Sequence, residues 1–291
     1  GGGVKNDSLI YGQVPQKVVN YYKRDASTGQ WPTTETQQLL PDGIQEDFSL
    51  AIDASSIVVG APGANSVYVF DENNLGISNL TIEYKYHDDD NGNDFGKTVA
   101  VFDDEIIVSK NNKLFHYKKD MDTTWATVVK TELLPSGADD ISSNKFGDAL
   151  AIDASSIVVG APGLNNGKGA VFVYEMSGNE YAQKYKLEGS DLESPVDEFT
   201  GSKMGAQIAM DNGEIFATVQ KSVIVPRNTF PWKELTISGT KPNKRQYHSS
   251  ILFDGQMVIF GGKQPGGSDA NDAWALDLTS YAWTQLTTTG T

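Results

Sequence analysis

Residues 50–63 read LAIDASSIVVGAPG, and residues 150–163 repeat all fourteen letters. A duplicate of this length inside one chain marks a fold assembled from copies of one small unit, so the period comes before any single residue. Looser copies lie between and around the pair: GVKNDSLIYGQ at 3–13, VAVFDDEIIVSK at 99–110, AQIAMDNGEIFATV at 206–219 and ILFDGQMVIFGG at 251–262. Aligned on the first residue of the second apolar run, the anchors are Leu9, Ile57, Ile106, Ile157, Ile215 and Met257. The chain is six units of about fifty residues each.

Each unit has one internal grammar. In the fourth, Ala149-Leu150-Ala151-Ile152 alternates and leads into a polar turn, Asp153 to Ser156. The apolar run Ile157-Val158-Val159 follows, closed by Gly160-Ala161-Pro162-Gly163. Then come Ala170 to Tyr174, a polar tip at Ser177-Gly178-Asn179, and Tyr181 to Leu187. Four short β-branched or aromatic segments separated by turn residues predict a four-stranded antiparallel meander. Helix is the competing reading of short apolar runs, but no segment sustains an i, i+3, i+4 pattern for ten residues. Repeated four-stranded sheets of this period predict an all-β chain of β-propeller blades, six of them represented.

The residues at the unit ends have packing jobs. The Gly-Ala-Pro-Gly turn supplies small side chains where neighbouring blades crowd, and Pro62 and Pro162 end their strands because proline donates nothing to the ladder. Phe48, Phe95, Phe146 and Phe199 open four units at what read as equivalent places, and blade-to-blade packing is their expected role. Trp31, Trp125, Trp232 and Trp283 fall at or near fourth strands and take the same reading. Ile57-Val58-Val59 and Ile157-Val158-Val159 should be almost free of solvent. The first blade is expected to lack most of its innermost strand, since only Gly3-Val4 precedes the Lys5-to-Ser8 turn.

Phe95-Gly96 and Phe146-Gly147, followed by Ile157-Val158-Val159-Gly160-Ala161-Pro162, resemble the FG-GAP repeat over about residues 3–225. The third unit departs from it, with Val-Ser-Lys in place of Gly-Ala-Pro. From about 230 the pattern changes. Trp232, Gly239, Pro242, Arg245, His248-Ser249, Phe260-Gly261-Gly262, Asn271-Asp272-Ala273-Trp274, Asp277-Leu278 and Trp283 resemble a kelch repeat in order and spacing. The resemblance implies FG-GAP-like blades over 1–229 and kelch-like sequence over 230–291, as parts of one propeller. It makes the paired glycines and Trp274 structural.

Composition narrows the function. There are 38 acidic residues against 23 basic, a formal charge of −15, and no cysteine. The acid excess argues against nucleic acid or an anionic membrane as partner. No run of eighteen apolar residues exists to span a bilayer. The chain is long enough to bury a substantial core without disulfides. Sequons at Asn6 and Asn79 permit N-glycosylation in a secretory route, and an extracellular or cell-surface location is the expectation.

No catalytic constellation stands out. His87, His116 and His248 lie in different units without Cys, Asp or Glu at metal-ligand spacing. A Gly-x-Ser-x-Gly elbow, a phosphate-binding glycine loop and a Cys nucleophile are all missing from the sequence. The copper-radical oxidases built on kelch-like propellers need a cysteine, so the sequence excludes that chemistry. Integrin-type FG-GAP blades carry an Asp-x-Asp-x-Asp-Gly loop, whereas this chain has only Asp53-Ala-Ser-Ser and Asp153-Ala-Ser-Ser there. One weak Ca²⁺ candidate lies elsewhere, in Asp88, Asp90, Asn91, Asn93 and Asp94. It has the oxygen ligands but not the placed glycine of a twelve-residue loop, and a solvated acidic loop is the plainer reading. Asp191 to Glu198 is solvated on the same grounds.

The expected function is a non-catalytic structural or protein-interaction module with no resident cofactor. Its expected partners are other chains, or domains of the same polypeptide. Two other readings stay open. One is a carbohydrate-binding propeller using Tyr21, Tyr22, Tyr84 and Tyr86. The other is an enzyme whose residues converge from several blades. The ends suggest a piece of a longer polypeptide, with the ring closed by sequence beyond 291 or by another chain at an open sheet edge.

Overall fold

Every anchor of the repeat occupies the same station in a sheet. Leu9 pairs with Val4, Ile57 with Ile52, Ile106 with Val101, Ile215 with Met210 and Met257 with Leu252, always between the first strand and the second. The structure, a computed structural model, describes residues 2–5, 8–13, 18–39, 48–53, 55–71, 82–87, 94–119, 124–128, 130–136, 145–178, 180–188, 203–211, 214–219, 222–225, 233–234, 240–243, 245, 249–253, 255–264 and 268–286.

The fold is all-β, six four-stranded antiparallel blades of the β-propeller class. Sheet one holds β1 (Gly2–Lys5), β2 (Ser8–Gln13), β3 (Val18–Lys23) and β4 (Gln37–Leu39). Sheet two holds β5 (Ser49–Ile52), β6 (Ser56–Ala61), β7 (Ser66–Asp71) and β8 (Ile82–His87). Sheet three holds β9 (Val99–Phe102), β10 (Glu105–Lys110), β11 (Lys113–Lys118) and β12 (Lys130–Leu133). Sheet four is β13 (Ala149–Ile152), β14 (Ser156–Ala161), β15 (Ala170–Ser177) and β16 (Glu180–Glu188). Sheet five is β17 (Ile208–Asp211), β18 (Glu214–Val219), β19 (Ser222–Val225) and β20 (Lys233–Glu234). Sheet six is β21 (Ser249–Phe253), β22 (Gln256–Phe260), β23 (Ala273–Asp277) and β24 (Trp283–Leu286). The chain divides into two compact units, Gly1–Ala154 and Ser155–Thr291, at the turn between β13 and β14. Among the described residues, helical backbone is confined to the short turns Pro62–Ala64, Trp125–Thr127 and Leu164–Gly167.

Within the first unit, successive side chains of β6 serve different neighbours, because a strand sends alternate residues to opposite faces. Ile57 and Val59 pack with Ile10, Val19 and Tyr21 of sheet one. Val58, with Val67 and Val69, packs against Phe95, Val99 and Val101 of sheet three. Both faces are covered, so Ile57, Val58 and Val59 are all 0% exposed, as are Ile157, Val158 and Val159 in the second unit. Each such side chain contributes about 1.5–3 kcal/mol of burial. In the second unit, Phe216 and Ala209 of sheet five meet Met257, Ile259, Trp274, Leu276 and Trp283 of sheet six.

The glycines of the repeat are required by close approach. A side chain on Gly60 would start 2.1 Å from the carbonyl oxygen of Gly96, and one on Gly160 would start 1.9 Å from that of Gly205. The facing glycines sit in tight turns. Lys97, Asp148 and Ala206 donate their N–H groups to the carbonyls of Asp94, Lys145 and Lys203. Gly96, Gly147 and Gly205 stand third in those turns at φ +89, +86 and +79°, the conformation a type II turn demands there. Pro62 and Pro162 follow directly on the ends of β6 and β14.

Four expectations are corrected. The first blade has a full innermost strand, since β1 pairs with β2 over Gly2 to Lys5; the Gly-Gly start supplies backbone hydrogen bonds, which need no side chain. In the third unit the register sets Ser109, Lys110 and Asn111 against Gly160, Ala161 and Pro162, one residue later than Val-Ser-Lys. Phe48 stands two positions nearer its first strand than Phe95 does, with its ring filling the space beside Gly12. Met204, 0% exposed, holds the equivalent place in the fifth unit, while Phe199 lies outside the described residues. Trp31 is no packing residue: it is 37% exposed, with the Arg24 guanidinium 5.9 Å from its ring centre. Trp125 and Trp283 are buried as expected, and Trp232 lies outside the described residues.

Candidate functional site

The blades share one strand plan but differ in the connection from second strand to third. In sheet two it is residues 62–65, and in sheet four residues 162–169. Each lies over the turn that opens the following sheet. Asn65 Oδ1 accepts the N–H of Phe95 at 3.2 Å. The carbonyls of Gly167 and Lys168 accept the N–H groups of Lys203 and Met204, both at 3.0 Å. These connections act as caps.

In sheet three the connection is shorter. β10 and β11 are joined by Asn111 and Asn112 alone, at φ +49 and +60°. Two positive φ values define the type I′ hairpin turn, a conformation asparagine tolerates. Beside it lies a cleft of about 220 Å³ in the first unit, over the turn Lys145-Phe146-Gly147-Asp148. Asp94, Lys97 and Ser109 complete its wall. Lys97 Nζ donates to Asp148 Oδ1 at 2.8 Å across the cleft, with both side chains partly in water. Ser109 Oγ is committed to the fold, accepting the Thr98 N–H at 2.9 Å. Two ammonium groups and two carboxylates line the cleft, so its charges balance. About seven waters would fill it.

Other residues singled out in the sequence have different fates. Asp88, Asp90, Asn91 and Asn93 lie outside the described residues. Asp94, the remaining member of that Ca²⁺ candidate, is half-buried and uses its carbonyl in the turn to Lys97. Among the described residues no group of three or more His, Cys, Asp or Glu could hold a metal ion. Asn6 and Asn79 lie outside the described residues, as do the side chains of Tyr84 and His87 and all of His248. Tyr21 is buried with its hydroxyl 3.2 Å from Ser8 Oγ. Tyr86 donates to the Trp125 carbonyl at 2.6 Å and packs 4.4 Å from the Tyr117 ring. Tyr21 presents no face to a sugar, and Tyr86 is half-buried. Tyr22 is half-buried.

The structure also joins groups that linear spacing separates. Glu105 Oε2 lies 3.0 Å from His116 Nε2, and its other oxygen accepts from Lys118 Nζ at 2.7 Å. Hairpin register, with Glu105 opposite Lys118 and Ile107 opposite His116, was the signal that could have found them. Asp53 is 2% exposed and its carboxylate accepts the Asp103 N–H, tying one inner turn to the next. In sheet six Arg245, its side chain 3% exposed, forms a bidentate pair with Asp272 and donates to the Gly261 carbonyl at 3.0 Å. Trp274 Nε1 donates to the same carboxylate at 2.8 Å. The guanidinium holds the Asp272 carboxyl down at about 2. Arg245 and Asp272 were part of the kelch pattern, but their pairing was not legible there.

Residues 215–291 match the KLHDC2/KLHL20/DRC7 Kelch-repeats domain. Kelch domain-containing protein 3 of Bos taurus is 38% identical over 64 residues, which is 22% of this chain and 17% of that protein. Rab9 effector protein with kelch motifs, from Danio rerio, is 35% identical over 63 residues, 21% of this chain and 18% of that protein. The chain thus spans under a fifth of these relatives' length. A solved structure titled "Structure of YjhT" has a TM-score of 0.61 at 14% identity, covering 98% of this chain and 96% of that one. That likeness is one of fold. A kelch-type repeat therefore occupies the C-terminal part of an all-β chain of four-stranded propeller blades.

Proposed function

We propose that this chain is a non-catalytic scaffold for protein–protein interaction, FG-GAP-like over 1–229 and kelch-like over 230–291. The observation that carries the reading is the contrast between a uniform core and variable connections. The second strands share one length and one register, while residues 62–65, 111–112 and 162–169 differ in length between second strand and third. Binding surfaces are built in this way, on loops held by a rigid frame. One relative carries the name Rab9 effector protein with kelch motifs. An extracellular location rests on the sequons at Asn6 and Asn79.

The test is affinity capture with the folded chain, compared with a Lys97→Ala, Lys145→Ala variant of matched stability. A protein partner retained by the first and lost by the second supports the reading. Turnover in a panel of glycoside and ester substrates, or saturable binding on a glycan array without any protein partner, overturns it. A shift in mobility after peptide-N-glycosidase treatment of chain secreted from eukaryotic cells checks the location.

A further inference from the structure

From two exposed half-joints we infer that the chain associates head to tail with a second copy of itself, Leu286 of one copy seating against Tyr22 and Trp31 of the other. This goes beyond the scaffold reading, since it names one partner and the residues that meet it. The covered joint between sheets two and three, inside the first unit, is the pattern. There Tyr86, on the fourth strand of sheet two, lies 4.4 Å from the Tyr117 ring of sheet three and donates to the Trp125 carbonyl at 2.6 Å. Tyr117 is 4% exposed and Trp125 0%.

Sheet one carries the receiving half of such a joint. Tyr22 pairs with the anchor Leu9 as Tyr117 pairs with the anchor Ile106. The residue after each third strand then lies over a tryptophan, Arg24 at 5.9 Å from the Trp31 ring centre and Lys119 at 5.1 Å from that of Trp125. Yet Trp31 is 37% exposed and Tyr22 only half-buried. Asn20, at the station of Phe115, is 4% exposed, so the opening is confined to Tyr22 and the connection bearing Trp31. That connection is already shaped. Asp25 Oδ1 accepts the N–H groups of Ser27 and Thr28, both at 2.8 Å, and the Lys23 N–H donates to Thr36 Oγ1 at 2.9 Å. A preformed loop loses little entropy on docking, and tryptophan and tyrosine are frequent carriers of interface energy.

Sheet six carries the giving half. Leu286 pairs with Ala273, which pairs with Phe260, as Tyr86 pairs with Val67 and Val67 with Gly60. Phe260 and Gly60 both stand three residues beyond their anchors, so Leu286 holds the station of Tyr86. Its row alternates with Met257, Ile259 and Trp283, which pack with sheet five, and so it lies on the opposite face. Phe260 is 45% exposed and Leu286 37%. Both half-joints are apolar in a chain of formal charge −15, so copies can meet there without bringing carboxylates face to face. Giving and receiving surfaces differ, which makes the contact heterologous and leaves each bound copy one half-joint for the next.

The chain has no cysteine, so single introduced cysteines report contacts cleanly. A Thr33→Cys chain is mixed with a Thr284→Cys chain under mild oxidation, and a disulfide-linked dimer of the two is the expected product. Ser177→Cys, on the exposed tip of sheet four, replaces Thr33→Cys in the control mixture and should give about tenfold less. Light scattering of the natural chain should show mass rising with concentration, more steeply at high salt, where the charge is screened. Trp31→Ala and Leu286→Lys should each raise the dissociation constant about tenfold or more. Both side chains are exposed, and melts confirm that the variants fold; should one fail, the cysteine mixtures decide. Overturning results are a monomer at every concentration, equal crosslinking in the control mixture, association untouched by both substitutions, or a disulfide that forms only within a single Thr33→Cys, Thr284→Cys chain. If copies do not associate while affinity capture still finds a different protein, the scaffold reading stands and this inference falls.

Discussion

Sheets four and six meet the same demand at the end of the second strand with opposite chemistry. Gly160 and Phe260 occupy one register position, three residues beyond the anchors Ile157 and Met257. At Gly160 the backbone of Gly205 comes so close that no side chain fits. At Phe260 the ring is 45% exposed, and Leu286, in the same cross-strand row, is 37% exposed. The corner beyond Gly160 is held by backbone contact. The corner beyond Phe260 is held by Arg245, which pins the Gly261 carbonyl and the Asp272 carboxylate together. Units with one strand register can thus change their fastenings, and the second kind lies within the residues that match the kelch-type repeat.

The largest effect expected from this contrast separates Val158 from Val258. Val158 is 0% exposed with both sheet faces apolar, so Val158→Asp buries a carboxylate at a cost of about 4 kcal/mol or more. Val258 is half-buried, and Val258→Asp should cost about 1 kcal/mol. Urea titrations of both variants check the pair, and equal losses would erase the distinction between the two sheets.

Next in size is the glycine itself. Gly160→Ala places a methyl group against a backbone carbonyl that cannot swing aside, and should cost about 3 kcal/mol. Phe260→Ala, at the equivalent station, should cost about 1 kcal/mol because the ring is already partly in water.

The kelch-type corner is sharpened by pH. The Asp272 carboxyl is lowered from 3.8 to about 2, with the hydrogen bond from Arg245 as the largest cause. A depressed folded pKa contributes stability that is complete above about pH 4 and is lost as pH falls toward 2. Asp272→Ala leaves the buried guanidinium without its partner, at a cost of about 3 kcal/mol at neutral pH. Asp272→Asn should flatten the acid limb of the stability profile between pH 4 and 2 relative to the natural chain.

The smallest expected effect has the other sign. Tyr174 is 1% exposed, its hydroxyl makes no hydrogen bond, and burial pushes its ionisation upward. Tyr174→Phe removes a polar group that lost its water without a replacement, and should stabilise the chain by about 1 kcal/mol. Thermal melts are the measurement.

The sequence by itself determined the repeat, the four-strand grammar, the strand ends at Pro62 and Pro162 and the full burial of Ile57-Val58-Val59. These follow from local pattern: alternation, β-branching and proline are written residue by residue, and repetition confirms each of them. Tertiary structure alone decided what lies across from what. Phe48 and Phe95 read alike as aromatics near the start of a unit, yet two positions of offset send one ring against Gly12 and make the other part of a turn. Arg245 finds Asp272, His116 finds Glu105, and Lys97 finds Asp148. Each of these depends on connections whose lengths vary freely in sequence, while contact requires distances that only the packed sheets fix.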